Sequence, residues 1–168
     1  TNNRTISLLG NAWFQVLDGK TLTLNTPFAG SPTANVTKED LGTLVLAASN
    51  PNWLGTLTVQ QGVVVAANSA ALGAGNNTVA IAGGVNSAFQ LQGGITLTQN
   101  FNLSTGGNVL WGGIQNTGHL SNASGTNTIT GVVNINNDSS IGSVAGNLIL
   151  AGGVNLPASK RLQIGGSG

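Results

Sequence analysis

The sequence predicts an all-β protein, a parallel β-solenoid in which one chain winds into roughly seven irregular coils. Three observations predict this fold: short alternations of apolar and polar residues recur along the chain, Gly and Asn fill the segments between them, and no stretch has helical spacing. Glu and Lys, which usually fill exposed helix faces, are nearly absent. Strands this short and numerous, with similar phrases returning, favour a solenoid over a β-sandwich.

The predicted strands are short segments with the period-two alternation of a half-buried strand. They lie at 6–8, 14–16, 22–24, 44–46, 57–59, 63–65, 79–81, 89–91, 95–97, 129–130, 133–135, 148–150 and 162–164. Turns such as 73–77 and 104–108 are rich in Gly and Asn, which tolerate the positive φ that tight corners need. Coils of roughly 20–25 residues, stacked about 4.8 Å apart, predict a rod of around 35 Å.

The composition limits the classes of function. Charged residues make up only 5% of the 168 residues, the formal net charge is +1, and hydrophobic residues make up 40%, so the chain can bury a core. The five basic residues are scattered, which argues against a nucleic-acid partner. The absence of Cys excludes disulfides and thiolate metal sites, and no apolar run is long enough to span a membrane.

Two phrases of the sequence carry a family resemblance. The first reads GTLVL at 42–46, SN at 49–50, Trp53, GTLTV at 55–59 and GVVV at 62–65, with lead-in 36–38 and the turn AALG at 70–73. The second reads NASGTNTI at 122–129, then Gly131, 140–142, AGNLIL at 145–150 and 152–153. Together they resemble the autotransporter-associated β-strand repeat over about residues 1–153. The sequence departs from the family pattern at three places: the spacing near 51–52 carries one extra residue, Trp53 stands where Tyr is usual, and Ala48 stands where Gly is common. We expect these departures to reshape a loop and to leave the strand pattern intact.

The resemblance implies a single-stranded right-handed parallel β-helix in a large exported bacterial protein, and it implies no activity. We therefore expect residues 1–168 to form a single β-solenoid segment, excised from or repeated within a larger protein. Its expected location is extracellular or at the bacterial cell surface.

Catalysis is not expected, because β-helix polysaccharide enzymes need carboxylates, often with Lys, Arg or calcium. Between 41 and 137 there is no Asp, Glu, Lys or Arg. Asp18 and Asp138 lie in predicted turns, and the neighbours Glu39 and Asp40 are expected to be solvated in a turn. The single His119 has no acid nearby in sequence, so we expect it to face solvent or to be satisfied in a turn.

No cofactor or metal site is predicted, since Asp does not recur as a calcium-binding repeat requires. The Asn-rich corners instead predict ladders of stacked, hydrogen-bonded side chains. Thr-x-Thr pairs at 21/23, 56/58, 96/98 and 128/130 could bind ice if they aligned on one face, but their uneven spacing argues against one array. Thr is also favoured on exposed strand faces.

The aromatic residues are few, and an exposed Trp can stack on a sugar ring. Trp53, between Asn52 and Leu54, is the candidate for an exposed glycan contact, whereas Phe89 and Phe101 sit in alternating strands and are expected to fill the core. The remaining aromatic residues are Trp13, Trp111, Phe14 and Phe28.

The sequence thus favours a structural role, as a rigid stalk or as a self-assembling unit of an extracellular fibre. The expected partners are further coils, either flanking coils of the same protein or a second copy stacked end to end. A glycan-binding adhesin surface is the alternative, and an ice-binding solenoid or a polysaccharide-active enzyme is less favoured.

Overall fold

The computed structural model describes residues 4–74, 77–105 and 117–167. These residues form β1 (Ile6–Leu8), β2 (Ala12–Gln15), β3 (Thr21–Leu24), β4 (Phe28–Gly30), β5 (Val36–Glu39), β6 (Thr43–Leu46), β7 (Leu57–Val59), β8 (Gly62–Ala66), β9 (Thr78–Ile81), β10 (Ser87–Gln92), β11 (Thr96–Leu97), β12 (Asn100–Leu103), β13 (Leu120–Ser124), β14 (Thr126–Ile129), β15 (Val133–Ile135), β16 (Ser139–Ser143), β17 (Asn147–Leu150), β18 (Val154–Asn155) and β19 (Leu162–Gly166). Within the same ranges the 3-10 turn Gly84–Asn86 is the only helical element, and no helix is long and apolar enough to cross a membrane.

The strands stack into parallel sheets that run the length of a solenoid. Sheet 1 has the order β3-β6-β8-β10-β13-β16-β19, and sheet 2 has the order β2-β5-β7-β9-β12-β15-β18. A third face carries β1-β4 at one end and β11-β14-β17 at the other. Because each large sheet takes one strand from every turn of the chain, seven strands in each mean seven coils, and the expected parallel β-solenoid is confirmed.

Strand pairing gives the length of each coil. Ala12 pairs with Val36, Val36 with Leu57 and Leu57 with Val79, which are offsets of 24, 21 and 22 residues. The coil from Phe101 to Val133 is longer, at 32 residues, and contains the undescribed segment 106–116. The expected length of 20–25 residues is therefore correct for these three coils and wrong for the fifth.

The core lies between the sheets, and the alternation of the sequence fills it. In β5 and β9 every second residue is buried, so Val36, Val79 and Ile81 point inward while Thr37 and Ala80 are half-buried on the outside. Burying each large apolar side chain in such a core stabilises the fold by roughly 1.5–3 kcal/mol.

Phe89 and Phe101 lie in this core, as expected. Both are fully buried, and their rings meet edge to face with centroids 5.1 Å apart. Phe89 comes from sheet 1 and Phe101 from sheet 2, so the pair joins the two sheets across the core.

Candidate functional site

The outer surface of sheet 2 carries two columns of mostly polar side chains. The first column, in register from coil to coil, is Trp13, Thr37, Thr58, Ala80, Asn102, Asn134 and Asn155. Each of these residues is half-buried or exposed, while its neighbours along the middle strands point into the core. We call this surface the outer face of sheet 2.

One end of this outer face is an asparagine ladder. The Asn134 amide nitrogen donates to the Asn102 side-chain oxygen at 3.0 Å, and the Asn155 amide nitrogen donates to the Asn134 oxygen at 3.3 Å. Asn in this strand position lets each coil bond its neighbour through the side chain as well as through the backbone. The predicted ladder therefore exists, but on the face of a strand and not at a corner.

The corners use Asn differently. Where the chain enters sheet 2, the side-chain oxygens of Asn11, Asn35 and Asn100 accept the backbone N–H groups of Asn35, Thr56 and Val132, at 3.1, 2.9 and 2.9 Å. Each bond spans one coil, so these amides pair backbone donors at the bends. Asn at a corner thus satisfies the next coil's backbone.

The second column on the outer face borders a cleft at the opposite end from the ladder. Gln15 and Glu39 are in register, and the Gln15 amide donates to the Glu39 carboxylate at 3.3 Å. A cleft of about 500 Å³ lies beside them, and it is lined by Gln15, Glu39, Asp40, Gln60, Gln61 and Gly83. Glu39 and Asp40 were expected to be solvated in a turn; Glu39 instead ends strand β5, and both residues are only partly exposed.

A buried lysine supports the floor of this cleft. The Lys38 side chain points into the core, and its ammonium donates to the backbone carbonyls of Glu39, Asp40 and Gln61 at 2.7, 2.5 and 3.2 Å. Burial lowers the pKa of Lys38 to about 8, and the nearby Asp40 carboxylate opposes that shift. Three ammonium hydrogens thus meet three carbonyls at one tight corner, where Asp40 has a positive φ of 62°.

The remaining acidic residues do not join the cleft. Asp18 is exposed in the turn between β2 and β3, as expected. Asp138 lies at a bend in the sixth coil and pairs with Arg161 of the seventh at 2.7 Å. Hydrogen bonds from the Arg161 backbone and side chain hold the pKa of Asp138 below its usual value.

His119 is buried, so the expectation that it would face solvent is wrong, whereas the alternative of a turn position agrees with its place at a bend immediately before β13. Its Nδ1 accepts from the Ser140 backbone N–H at 3.1 Å and lies 3.0 Å from the Ser140 hydroxyl. Nδ1 is therefore the acceptor and Nε2 carries the proton, with no hydrogen-bond partner of ordinary geometry among the described residues. Burial lowers the pKa of His119 to about 4, against a smaller opposing effect of the Gly84 carbonyl.

Trp53 is also buried, so its expected exposure was wrong; a glycan contact there stays a prediction. Only 3% of its surface is exposed, its Nε1 donates to the Ala34 carbonyl at 2.7 Å, and its ring meets Phe28 edge to face at 5.4 Å. The indole fills the third face in a coil that has no strand there. The exposed indole belongs to Trp13, at 62% exposure, while Trp111 lies outside the described residues.

The Thr-x-Thr pairs do not form one array. Thr21 is in register with Thr43 on sheet 1, but the next position in that column is the buried Val63. Thr96 is in register with Thr128 on a different face. The uneven sequence spacing correctly indicated that no single aligned array exists.

The comparisons with known proteins add no identification. Among the described residues, no group of three or more His, Cys, Asp or Glu side chains could hold a metal ion. No protein-family model, no curated protein and no solved structure matches this chain. The autotransporter resemblance therefore stays a prediction made from the two sequence phrases.

Proposed function

We propose that this chain is a structural β-solenoid segment of a secreted bacterial surface or extracellular fibre protein. The observation that carries the structural role is the continuous pairing of strands from coil to coil in two sheets of seven strands each. Every coil is bonded to the next through backbone ladders, so the rod resists bending without any single large interface. The support for export is the sequence resemblance to exported bacterial proteins.

The seventh coil presents an open end that further coils can cover. Ile164 is 74% exposed, although its position continues the buried column of Leu120 and Ile141. A hollow of about 450 Å³ beside it is lined partly by Leu148 and Leu150, which are only half-buried. Uncovered strands invite pairing, so we expect this end to be covered by a flanking coil of the same protein or by a second copy.

Two readings of the structural role make different predictions for the purified chain. As a fibre subunit it assembles into long uniform filaments as its concentration rises, and Ile164→Lys abolishes them because it places a charge over the open core. The matched control is Thr58→Lys, which adds the same charge to the side of the rod. As a slice of a stalk, the chain stays as short discrete rods at every concentration.

Sedimentation velocity and negative-stain microscopy, with small-angle scattering for shape, distinguish the two readings. A particle that neither stacks nor has the rod shape of a solenoid would contradict the structural role altogether. The length of the native gene is an independent measurement, since a stalk needs a much longer chain.

We assign no catalytic role to the cleft, because its two carboxylates, Glu39 and Asp40, are adjacent in sequence and its lining includes no His. The alternative function, a glycan-binding adhesin surface, does not gain support from the buried Trp53. A different aromatic residue, the exposed Trp13, supports it.

A further inference from the structure

We propose that the outer face of sheet 2 binds an uncharged saccharide chain at a site formed by Trp13 and the neighbouring cleft. This inference goes beyond the structural role and does not depend on it. The site, which we call the Trp13 site, comprises Trp13, Thr37 and Thr58 together with the cleft residues Gln15, Glu39, Asp40, Gln60 and Gln61.

An exposed indole beside a polar cleft is the first observation. Trp13 is 62% exposed on the end strand of sheet 2, where the other large residue of the same strand, Phe14, turns inward and packs against the core. Gln15 lies two residues further on the same side, about 7 Å away along an extended strand. An aromatic surface and hydrogen-bonding groups at this separation can meet the apolar face and the hydroxyls of one sugar ring.

The hydrogen-bonding groups in the site are planar amides, carboxylates and hydroxyls. Gln15 and Glu39 are held together by their own hydrogen bond, so both side chains are oriented before any ligand arrives. Thr37 is in register with Trp13 and Thr58 with Thr37, which places their side chains in a row with the indole on successive coils. The cleft volume of about 500 Å³ is within the usual range of small-molecule sites.

Charge selects the class of saccharide. The lining of the cleft includes the carboxylates of Glu39 and Asp40 and no Lys or Arg side chain. The nearby cation, Lys38, is buried with its ammonium bonded to three backbone carbonyls. An anionic glycan would meet uncompensated repulsion here, whereas neutral hydroxyls can donate to the carboxylates.

The rigid base of the site favours binding over chemistry. The Lys38 ammonium fixes the carbonyls at the corner beneath Glu39 and Asp40, so the cleft wall does not need to reorganise when a ligand binds. The outer face of sheet 2 continues past the site through Ala80 to Asn102 and Asn134, and these Asn side chains give an extended chain further polar contacts.

The test is titration calorimetry of the whole chain with three probes: neutral oligosaccharides (cello-, manno- and chito-oligomers), an oligogalacturonate and an oligolysine. We expect a neutral oligosaccharide to bind and the oligogalacturonate not to bind. Trp13→Ala weakens binding by about tenfold or more, and Trp13→Phe recovers most of it, because stacking needs an aromatic face.

Two further variants make the test specific. Glu39→Gln keeps the shape but removes the charge, so we expect neutral binding to weaken severalfold and the discrimination against oligogalacturonate to fall. Asn147→Ala, an exposed residue of β17 on the third face of the solenoid, is the matched control and leaves the affinity unchanged. Circular dichroism of each variant verifies the fold, and Trp13 is exposed enough for its loss to leave the fold intact.

Three outcomes would overturn the proposal. The first is that no neutral oligosaccharide binds even at high concentration. The second is binding that Trp13→Ala leaves unchanged, since the ligand would then sit elsewhere. The third is binding of the oligolysine alone, which would make the Trp13 site a surface for a cationic partner.

Discussion

Single polar residues inside the solenoid decide much of its local stability. Lys38 occupies a position of a core column that is otherwise apolar, between Phe14 and Val59, and it is fully buried. It is tolerated because its stem packs with the apolar residues while its ammonium meets three carbonyls. Removing it leaves acceptors unpaired at a corner that the chain cannot easily open.

Lys38→Met is expected to lower the free energy of unfolding by at least about 2 kcal/mol, because the apolar stem is kept while three carbonyls lose their donor. Urea unfolding followed by circular dichroism measures the change. The control is the exposed Lys20→Met, for which we expect a change within about 0.5 kcal/mol. Equal effects of the two substitutions would show that the corner does not depend on the ammonium.

His119 makes the stability depend on pH. Its pKa is about 4 in the folded chain and 6.5 in a free histidine, so the unfolded chain binds the proton more readily between these values. Stability is therefore lost as the pH falls from about 6.5 towards 4, and each unit of pKa difference is worth about 1.4 kcal/mol. The pKa of Asp138 is below its usual value, so the stability that this carboxylate contributes is lost only at a pH lower than the range in which His119 acts.

We expect the free energy of unfolding to fall by about 2 kcal/mol between about pH 7 and about pH 4.5. Chemical denaturation at the two pH values measures it. His119→Gln removes the titrating group, and the fall should shrink to what the carboxylates contribute. An undiminished fall in that variant would mean that His119 is not the group responsible.

At the scale of elements, the corners set where one strand ends and the next begins. Gly62 starts β8 with a positive φ of 75°, and a Cβ there would lie 2.3 Å from the Gly42 carbonyl and 2.6 Å from the Lys38 ammonium. Two coils approach so closely at this point that only Gly fits. The turn at Gly19 has a similar φ of 66° but open space around it.

Substituting Gly62 and Gly19 separates the cost of steric crowding from the cost of a left-handed backbone conformation. Gly62→Ala should destabilise the chain by about 3 kcal/mol or more, because it adds a clash with backbone to the cost of left-handed φ. Gly19→Ala should cost only about 1 kcal/mol, the conformational term alone. Thermal and urea unfolding of both variants measure the difference, and similar costs at the two sites would contradict the close stacking of coils.

At the scale of the whole molecule, the solenoid is a one-dimensional stack. Strand pairs within each large sheet join successive coils, so stability is a sum of coil and neighbour terms. Middle coils have two neighbours, while the seventh coil has strands that are exposed or half-buried. The ends of the stack are therefore its least stable part.

Hydrogen exchange should show this gradient. Amides of β8, β10, β12 and β13 are expected to exchange orders of magnitude more slowly than those of β17 to β19, because fraying from an end opens few contacts. The exchange is followed by mass spectrometry of peptic fragments. If a second copy covers β19 in an assembled state, the amides of β19 should exchange more slowly there than in the monomer. Uniform protection along the monomer would contradict the one-dimensional description.

How much the sequence predicts depends on whether a feature is local. The period-two alternation and the Gly and Asn corners act within a few residues, so they determined the strands, the all-β class and the approximate coil number. The core positions of Phe89 and Phe101 follow from the same alternation. The absence of a catalytic centre, which the low charge and scattered acids led us to expect, stays a prediction.

Only the tertiary structure decided which residues stack on one another. Coil lengths range from 21 to 32 residues, and a shift of one residue turns a side chain to the other face, so register is not readable from sequence. That register buried His119 against Ser140 and Trp53 against Ala34, and it left Trp13 beside the Gln15–Glu39 pair. The sequence alone determined where the strands lie, because alternation acts within a few residues. The stacking of coils determined the Trp13 site, because residues that meet there, such as Gln15 and Glu39, lie more than twenty residues apart in the chain.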